Sequence, residues 1–139
     1  MKKELFSIAL FGVFFFFLMT ANASAPGSDH PVVSYTLTTD IKGEKRMFVG
    51  VGGKIEGVVN PDIFVNEWDV VEVTLISGDK LNHHIVIPDF HIMSETVSEK
   101  GKKTKITFVP FKSGGFPYYC ILENHRKLGM EGRMVVVGK

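Results

Sequence analysis

Cys120, His125 and Met130 follow one another at five-residue intervals near the C-terminus, and Cys120 is the only cysteine in the 139 residues. A thiolate, an imidazole and a thioether are the soft and borderline donors that a mononuclear copper electron-transfer site takes from a single loop. One more imidazole has to come from elsewhere. The segment from Leu81 to Pro88, apolar and β-branched around His83 and His84, offers it. Such a donor set suits Cu(I) and Cu(II) about equally, so little rearrangement accompanies the gain or loss of one electron. The blander fates are burial of Cys120 as a small inert hydrophobe and of the histidine as an imidazole with a single hydrogen bond.

The N-terminus bears on the lone thiol. Lys2 and Lys3 precede an apolar stretch from Leu5 to Met19, and the small residues Ala21, Ala23, Ser24 and Ala25 follow it. This is the pattern of a secretory signal peptide, residues 1–23, with cleavage after Ala23 or Ala25. An uncleaved anchor is the alternative, but the apolar stretch is short for a bilayer span. Export, to the periplasm or otherwise out of the cell, places the chain where an unpaired thiol is prone to oxidation unless something occupies it. Copper ligation is one such occupant.

The chain carries 16 basic and 15 acidic residues. Removal of residues 1–23 takes away Lys2, Lys3 and Glu4 and leaves 14 of each, a formal net charge of zero. A neutral protein has no bulk field to draw it to nucleic acid or to an anionic membrane, so membrane contact is expected only through the signal peptide. Residues 24–31, with Pro26, Gly27 and Pro31, read as a lead-in, and 32–139 as one domain large enough to bury a core without disulfides.

From Val32 onward the pattern is of short strands and turns, with no helix period. Val71, Val73 and Leu75 alternate with Glu72 and Thr74, and Ile106 and Phe108 with Lys105 and Thr107. Each is the period-2 mark of a strand with one buried face. Phe116, Tyr118 and Cys120 share a face by the same rule. Turn chemistry divides the runs at Asp40–Glu44, Gly50–Gly53, Asn60–Asp62, Ser77–Asp79, Glu99–Lys103, Ser113–Gly115 and Gly129–Gly132. Seven or eight strands so spaced predict an all-β protein, a β-sandwich or small barrel. The basic run Lys100, Lys102, Lys103 and Lys105 reads as a solvated hairpin turn.

Strand alternation selects between the adjacent histidines. If Ile85 and Ile87 face the core, so does His83, while His84 and Val86 point the other way. His83 is therefore the ligand candidate. Strand ends and the loop before the last strand can converge at the rim of a sandwich, which brings His83 to Cys120, His125 and Met130 despite their separation in sequence.

With these residues in place, the chain over roughly Tyr35 to Gly138 resembles the cupredoxins, the small blue copper proteins of the plastocyanin and azurin kind. The resemblance rests on the upstream His83, on Gly115 to Cys120 with its aromatic residues, and on the spacing Cys120, His125, Met130 followed by Gly132 and Val135–Val137. A looser likeness, through Tyr35–Thr38, Val49–Gly53 and Val58–Pro61, is to the N-terminal cupredoxin domain fused to some copper nitrite reductases. The resemblance implies a Greek-key β-sandwich and one type 1 copper ion. In it His83 and His125 bind through imidazole nitrogen, Cys120 through thiolate and Met130 as a weak axial thioether. It further implies a single-electron shuttle, not an enzyme, whose partners are redox proteins such as a c-type cytochrome or a terminal reductase or oxidase. A copper-holding or copper-delivery protein without a redox role is the alternative.

Two positions depart from the family pattern. Where cupredoxins generally place an asparagine beside the upstream histidine, to tie the two ligand loops together, this chain has His84. In the turn Asn66–Asp69 a glycine usually precedes the aspartate, but here Trp68 does, a poor residue for positive φ. Trp68 is expected to pack over the sandwich end or to sit in a turn of different build. His91 is expected to be a polar loop residue, not a ligand of a second metal. The edge of His125 is expected to be exposed among Leu128, Gly129 and Pro88, as a short exit for the electron.

Overall fold

Alternating burial builds both sheets of the protein. In the computed structural model, which describes residues 30–139, the strands are β1 (Val32–Lys42), β2 (Lys45–Val51), β3 (Ile63–Asn66), β4 (Val70–Ile76), β5 (Val86–Ile87), β6 (Ile92–Met93), β7 (Lys103–Phe108), β8 (Gly114–Tyr119) and β9 (Glu131–Val137). The signal segment 1–23 and lead-in residues 24–29 lie outside the described residues. Single-turn 3-10 helices at Gly53–Ile55, Pro88–Phe90 and Leu122–Asn124 are the helical elements among the described residues.

Four strands form one sheet in the order β2-β1-β4-β7 and five form the other in the order β3-β9-β8-β5-β6. The chain crosses between the sheets after β2, β3, β4, β6 and β7, and these crossings put β1 parallel to β4 and β3 parallel to β9. This is the β-sandwich expected from the strand spacing. Among the described residues it has nine strands, because β5 and β6 are two-residue ladders too short to register as periodic runs.

Val71, Val73 and Leu75 of β4 point inward and are buried, as are Ile106 and Phe108 of β7 and Phe116 and Tyr118 of β8. Each such side chain contributes roughly 1.5–3 kcal/mol by leaving water, which exceeds the ~1 kcal/mol span of strand propensity. Burial therefore fixes the register, since a one-residue slip would turn the whole set outward. Leu37, Phe48, Ile63, Met134 and Val136 complete the shared core.

The turn before β4 is built against the preference of its residues. Trp68 takes φ 67 and donates its N–H to Pro110 O at 2.8 Å, while its side chain stays 47% exposed. About half of the side chain is covered, and the backbone takes the positive φ to which Trp68 is ill suited, so the turn is not of different build. The left-handed conformation, costly to a bulky residue by about 1–2 kcal/mol, is held by the next residue. Asp69 is fully buried, and its Oδ2 accepts from Asn66 N at 2.9 Å and Asn66 Nδ2 at 3.0 Å.

The sheet order positions the ligand candidates. β8 lies between β9 and β5, paired through Tyr118 with Gly132 and through Tyr119 with Val86. Cys120 follows the end of β8, Met130 precedes β9, and His83 precedes β5, where it bridges Val97 through two backbone hydrogen bonds of 2.9 and 2.8 Å.

Candidate metal centre

Between Cys120 and His125 the chain must reverse within four residues. It does so with consecutive left-handed residues, Glu123 at φ 46 and Asn124 at φ 61, in a tight turn closed by His125 N to Leu122 O at 2.8 Å. Non-glycine residues in that region store strain of order 1–3 kcal/mol each and persist where the surroundings over-determine them. The surroundings here are dense in hydrogen bonds. Met130 N donates to His125 O at 2.9 Å and Cys120 N to Met130 O at 3.3 Å, so the backbone of Met130 joins the other two loop residues. Asn60 clamps the loop from outside. Its Nδ2 donates to Gly129 O at 2.8 Å while its Oδ1 accepts from Phe48 N in β2 at 3.0 Å.

The result is a cluster of His83, Cys120 and His125 whose ligand atoms all lie within 4.8 Å of one another. Cys120 Sγ and His125 Nδ1 are 3.5 Å apart, and the two imidazole centroids are 4.9 Å apart at 36°. All three side chains are buried, and so is Met130. His125 is only 1% exposed, which corrects the expectation of an open imidazole edge beside Leu128 and Gly129.

The donor set fits a metal ion on a specific point. Among the described residues His83 Nδ1 is buried without a hydrogen-bond partner, whereas Nε2 lies 2.8 and 3.0 Å from the two carboxylate oxygens of Asp79. An unpaired buried polar atom costs about 1–3 kcal/mol, and ligation would satisfy it. Metal-binding imidazoles characteristically give their second nitrogen to a carboxylate or carbonyl in this way. His125 repeats the arrangement more loosely, with Nδ1 toward Cys120 and Nε2 3.9 Å from Glu123 Oε2.

Burial pushes the Cys120 thiol up, against the pull of hydrogen bonds from the backbone N–H groups of His84 and Leu122, with the Glu123 charge adding to the rise. Burial pushes His125 down, assisted by His83. Without a cation the pocket therefore favours neutral side chains, and a bound cation would reverse that preference at the sulfur. His84 is likewise held down by burial and by His83.

His83 faces Cys120 as strand alternation predicts, and His84 lies outside the cluster. His84 Nε2 instead accepts the backbone N–H of Ile121 at 3.3 Å. The far face of this segment is also covered, since His84 and Val86 are both buried. His91 is exposed, left-handed at φ 55 and apart from the cluster. Tyr118 is a core residue whose hydroxyl donates to Pro61 O at 2.6 Å. Two residues of the site escaped the sequence reading. Asp79 and Asn60 lie in segments that read as ordinary turns, Ser77–Asp79 and Asn60–Asp62, and only the fold aims their side chains.

The sequence matches no family model and no curated protein at a significant level. Among solved structures it is similar to a copper nitrite reductase from Nitrosomonas europaea, with TM-score 0.61 and 25% identity over 78% of this chain. The match spans only 42% of the reductase chain. Rusticyanin from Thiobacillus ferrooxidans matches with TM-score 0.57 and 21% identity over 76% of this chain and 77% of its own. A multicopper oxidase from Aquifex aeolicus matches with TM-score 0.58 and 16% identity, over 80% of this chain and 27% of the oxidase. Blue copper cupredoxins and the cupredoxin-like domains of copper enzymes are thus its structural neighbours. Residues 30–139 have the cupredoxin fold and carry a buried His-Cys-His cluster where the segments flanking β5, β8 and β9 meet.

Proposed function

We propose that this protein is an exported type 1 copper protein that shuttles single electrons between redox partners, such as a c-type cytochrome and a terminal reductase or oxidase. The observation that carries the reading is the buried cluster itself: two imidazoles and a thiol within 4.8 Å, one ring nitrogen of which has no partner. A copper ion held by His83 Nδ1, Cys120 Sγ and His125 Nδ1, with Met130 as a weak fourth donor, would supply a Cu(I)/Cu(II) couple.

The residues of the chain do the rest. Burial of all four side chains excludes water and leaves no open approach for a substrate, which favours a carrier over an enzyme. The backbone N–H groups of His84 and Leu122 favour the ionised sulfur against the burial that opposes it. The strained turn at Glu123 and Asn124, with the Asn60 clamp, gives the loop one arrangement to keep through both oxidation states. Hydrogen bonding and apolar packing around the cysteine sulfur are the levers that set the potential of such a site. Likeness to rusticyanin and to the copper nitrite reductase supports copper as the metal, and the signal-like N-terminus supports export.

Visible absorption and electron paramagnetic resonance spectra after one equivalent of Cu(II) test the proposal. An intense thiolate-to-copper band that bleaches with a mild reductant and returns with an oxidant is the expected result. Copper binding with only the weak spectrum of nitrogen and oxygen ligation would move the protein to the holding or delivery role.

A further inference from the structure

We infer that Asp79 is a positioning residue for the metal centre: it holds the Nε2–H of His83, turns Nδ1 toward Cys120 and His125, and biases a bound copper toward Cu(II). The inference rests on the copper reading above and extends it to a residue that supplies no metal ligand.

Asp79 is itself fixed from several sides. Its Oδ2 accepts the hydroxyl of buried Thr39 at 2.8 Å, and its Oδ1 accepts the N–H of Leu81 at 2.7 Å. Its own carbonyl accepts the hydroxyl of buried Ser77 at 2.9 Å. Thr39 in turn accepts the N–H of Gly78 at 2.9 Å. Gly78 is the residue that lets this turn press against β1. A Cβ there would stand 2.0 Å from Thr39 O, a contact with rigid backbone that no side chain could relieve. Turn, strand and carboxylate are thus fitted to one another with His83 Nε2 as the remaining recipient, at 2.8 and 3.0 Å.

The contrast with His125 shows that this is more than a stray ion pair. The nearest carboxylate to His125 Nε2, that of Glu123, is 3.9 Å away and 60% exposed, so solvent screens it. Asp79 is mostly enclosed, 15% exposed, and its charge acts through a medium of lower dielectric. A negative charge one imidazole away stabilises the more positive metal state and raises the basicity of the ligating nitrogen. Loss of a carboxylate partner of this kind typically costs 10–100-fold in metal affinity.

Asp79→Asn and Asp79→Ala separate the two contributions. The amide oxygen of asparagine still accepts Nε2–H but carries no charge, so Asp79→Asn should keep the thiolate-to-copper band while favouring Cu(I) by about tenfold, a rise of about 59 mV in the potential of a one-electron couple. Asp79→Ala removes charge and acceptor together and should weaken binding of both Cu(II) and Zn(II) by about 10–100-fold. In the metal-free native protein at pH 8, nitrogen-15 resonances should place the His83 proton on Nε2, and Asp79→Ala should release that restriction. An unshifted potential in Asp79→Asn, an unchanged Zn(II) affinity in Asp79→Ala, or a native His83 protonated at Nδ1 would each overturn the inference. If Asp79→Ala fails to fold, Asp79→Asn and the native tautomer still decide. Absence of the thiolate band in the native protein would overturn the copper reading instead, and the tautomer and Zn(II) measurements would then judge Asp79 separately.

Discussion

His84 Nε2 accepts the backbone N–H of Ile121 at 3.3 Å, so the residue after one histidine ligand candidate is bonded to the residue after the cysteine. The segments that bring His83 and Cys120 together are tied at this point as well as through the pairing of Val86 with Tyr119. Where cupredoxins generally use an asparagine, the imidazole does the tying with an acceptor lone pair. Burial and the neighbouring His83 favour the neutral ring that possesses one.

Replacement at this position should follow acceptor capacity, not size. His84→Leu leaves the Ile121 N–H without its partner and should lower the stability of the fold by about 1 kcal/mol. His84→Asn restores an acceptor oxygen and should recover most of that loss, with copper still bound. Urea denaturation of the two variants checks the order; equal midpoints would mean that the bond contributes nothing.

Cys120→Ser should bind copper without the intense visible band, because a hydroxyl does not ionise to supply the thiolate from which the transition arises. Met130→Leu, close to volume-conserving in a fully buried position, should cost less than about 1.5 kcal/mol. It should keep the colour and raise the potential, since removing a weak donor withdraws electron density that favours the oxidised ion. Absorption spectra with a redox titration check both; a coloured serine variant would exclude the thiolate centre.

The strands were legible in the sequence wherever one face is buried and the other wet. Val71–Leu75, Ile106–Phe108 and Phe116–Cys120 alternate cleanly because β4, β7 and β8 do. Around His83 the signal was weaker, because both faces are covered and the ladder is two residues long. Alternation from Ile85 and Ile87 still selected His83 over His84. What periodicity could not reach were contacts set by the closing of the fold. Asp79 meets His83 only because Gly78 lets its turn seat against β1. His125 is buried, not edge-exposed, because Glu123 and Asn124 take left-handed conformations that their residue types do not announce. Trp68 is the same lesson in a turn, where hydrogen bonds to Asp69 and Pro110 outweigh a local preference for glycine.

Asp69 should dominate part of the acid limb of stability. Burial acts to raise its carboxyl, but hydrogen bonds from the backbone and side chain of Asn66, with the Lys139 ammonium, outweigh burial and hold it below its ordinary value of 3.8. Lys139 Nζ lies 3.3 Å from Oδ1, close enough for charge attraction though not aligned as a hydrogen bond. A carboxyl depressed in the folded state takes up its proton first in the unfolded chain. Its stabilisation is therefore complete above the unfolded value and lost as pH falls through the folded one. Asp69→Asn should be less stable than the native protein at pH 7, by about 1–3 kcal/mol. The gap should narrow as pH is lowered from 5 to 2, as followed by thermal melts across that range.

Two glycines of the sheet that carries the candidate metal centre should respond oppositely to the same added methyl group. A Cβ at Gly132 would stand 2.3 Å from both Cζ and Oη of Tyr118, the cross-strand partner whose hydroxyl is committed to Pro61 O at 2.6 Å. Tyr118 is fully buried and has nowhere to swing, so Gly132→Ala should lose about 1–3 kcal/mol to overpacking. At Gly115, on the neighbouring strand, a Cβ meets only Arg133 Cδ at 3.5 Å, an ordinary contact with a flexible chain. Gly115→Ala should be neutral or stabilising by up to about 1 kcal/mol, through the entropy that glycine loses on folding. Matched urea titrations of the two variants decide the point. A destabilised Gly115→Ala beside an unaffected Gly132→Ala would mean that β8 and β9 pair in another register, and with them Cys120 and Met130.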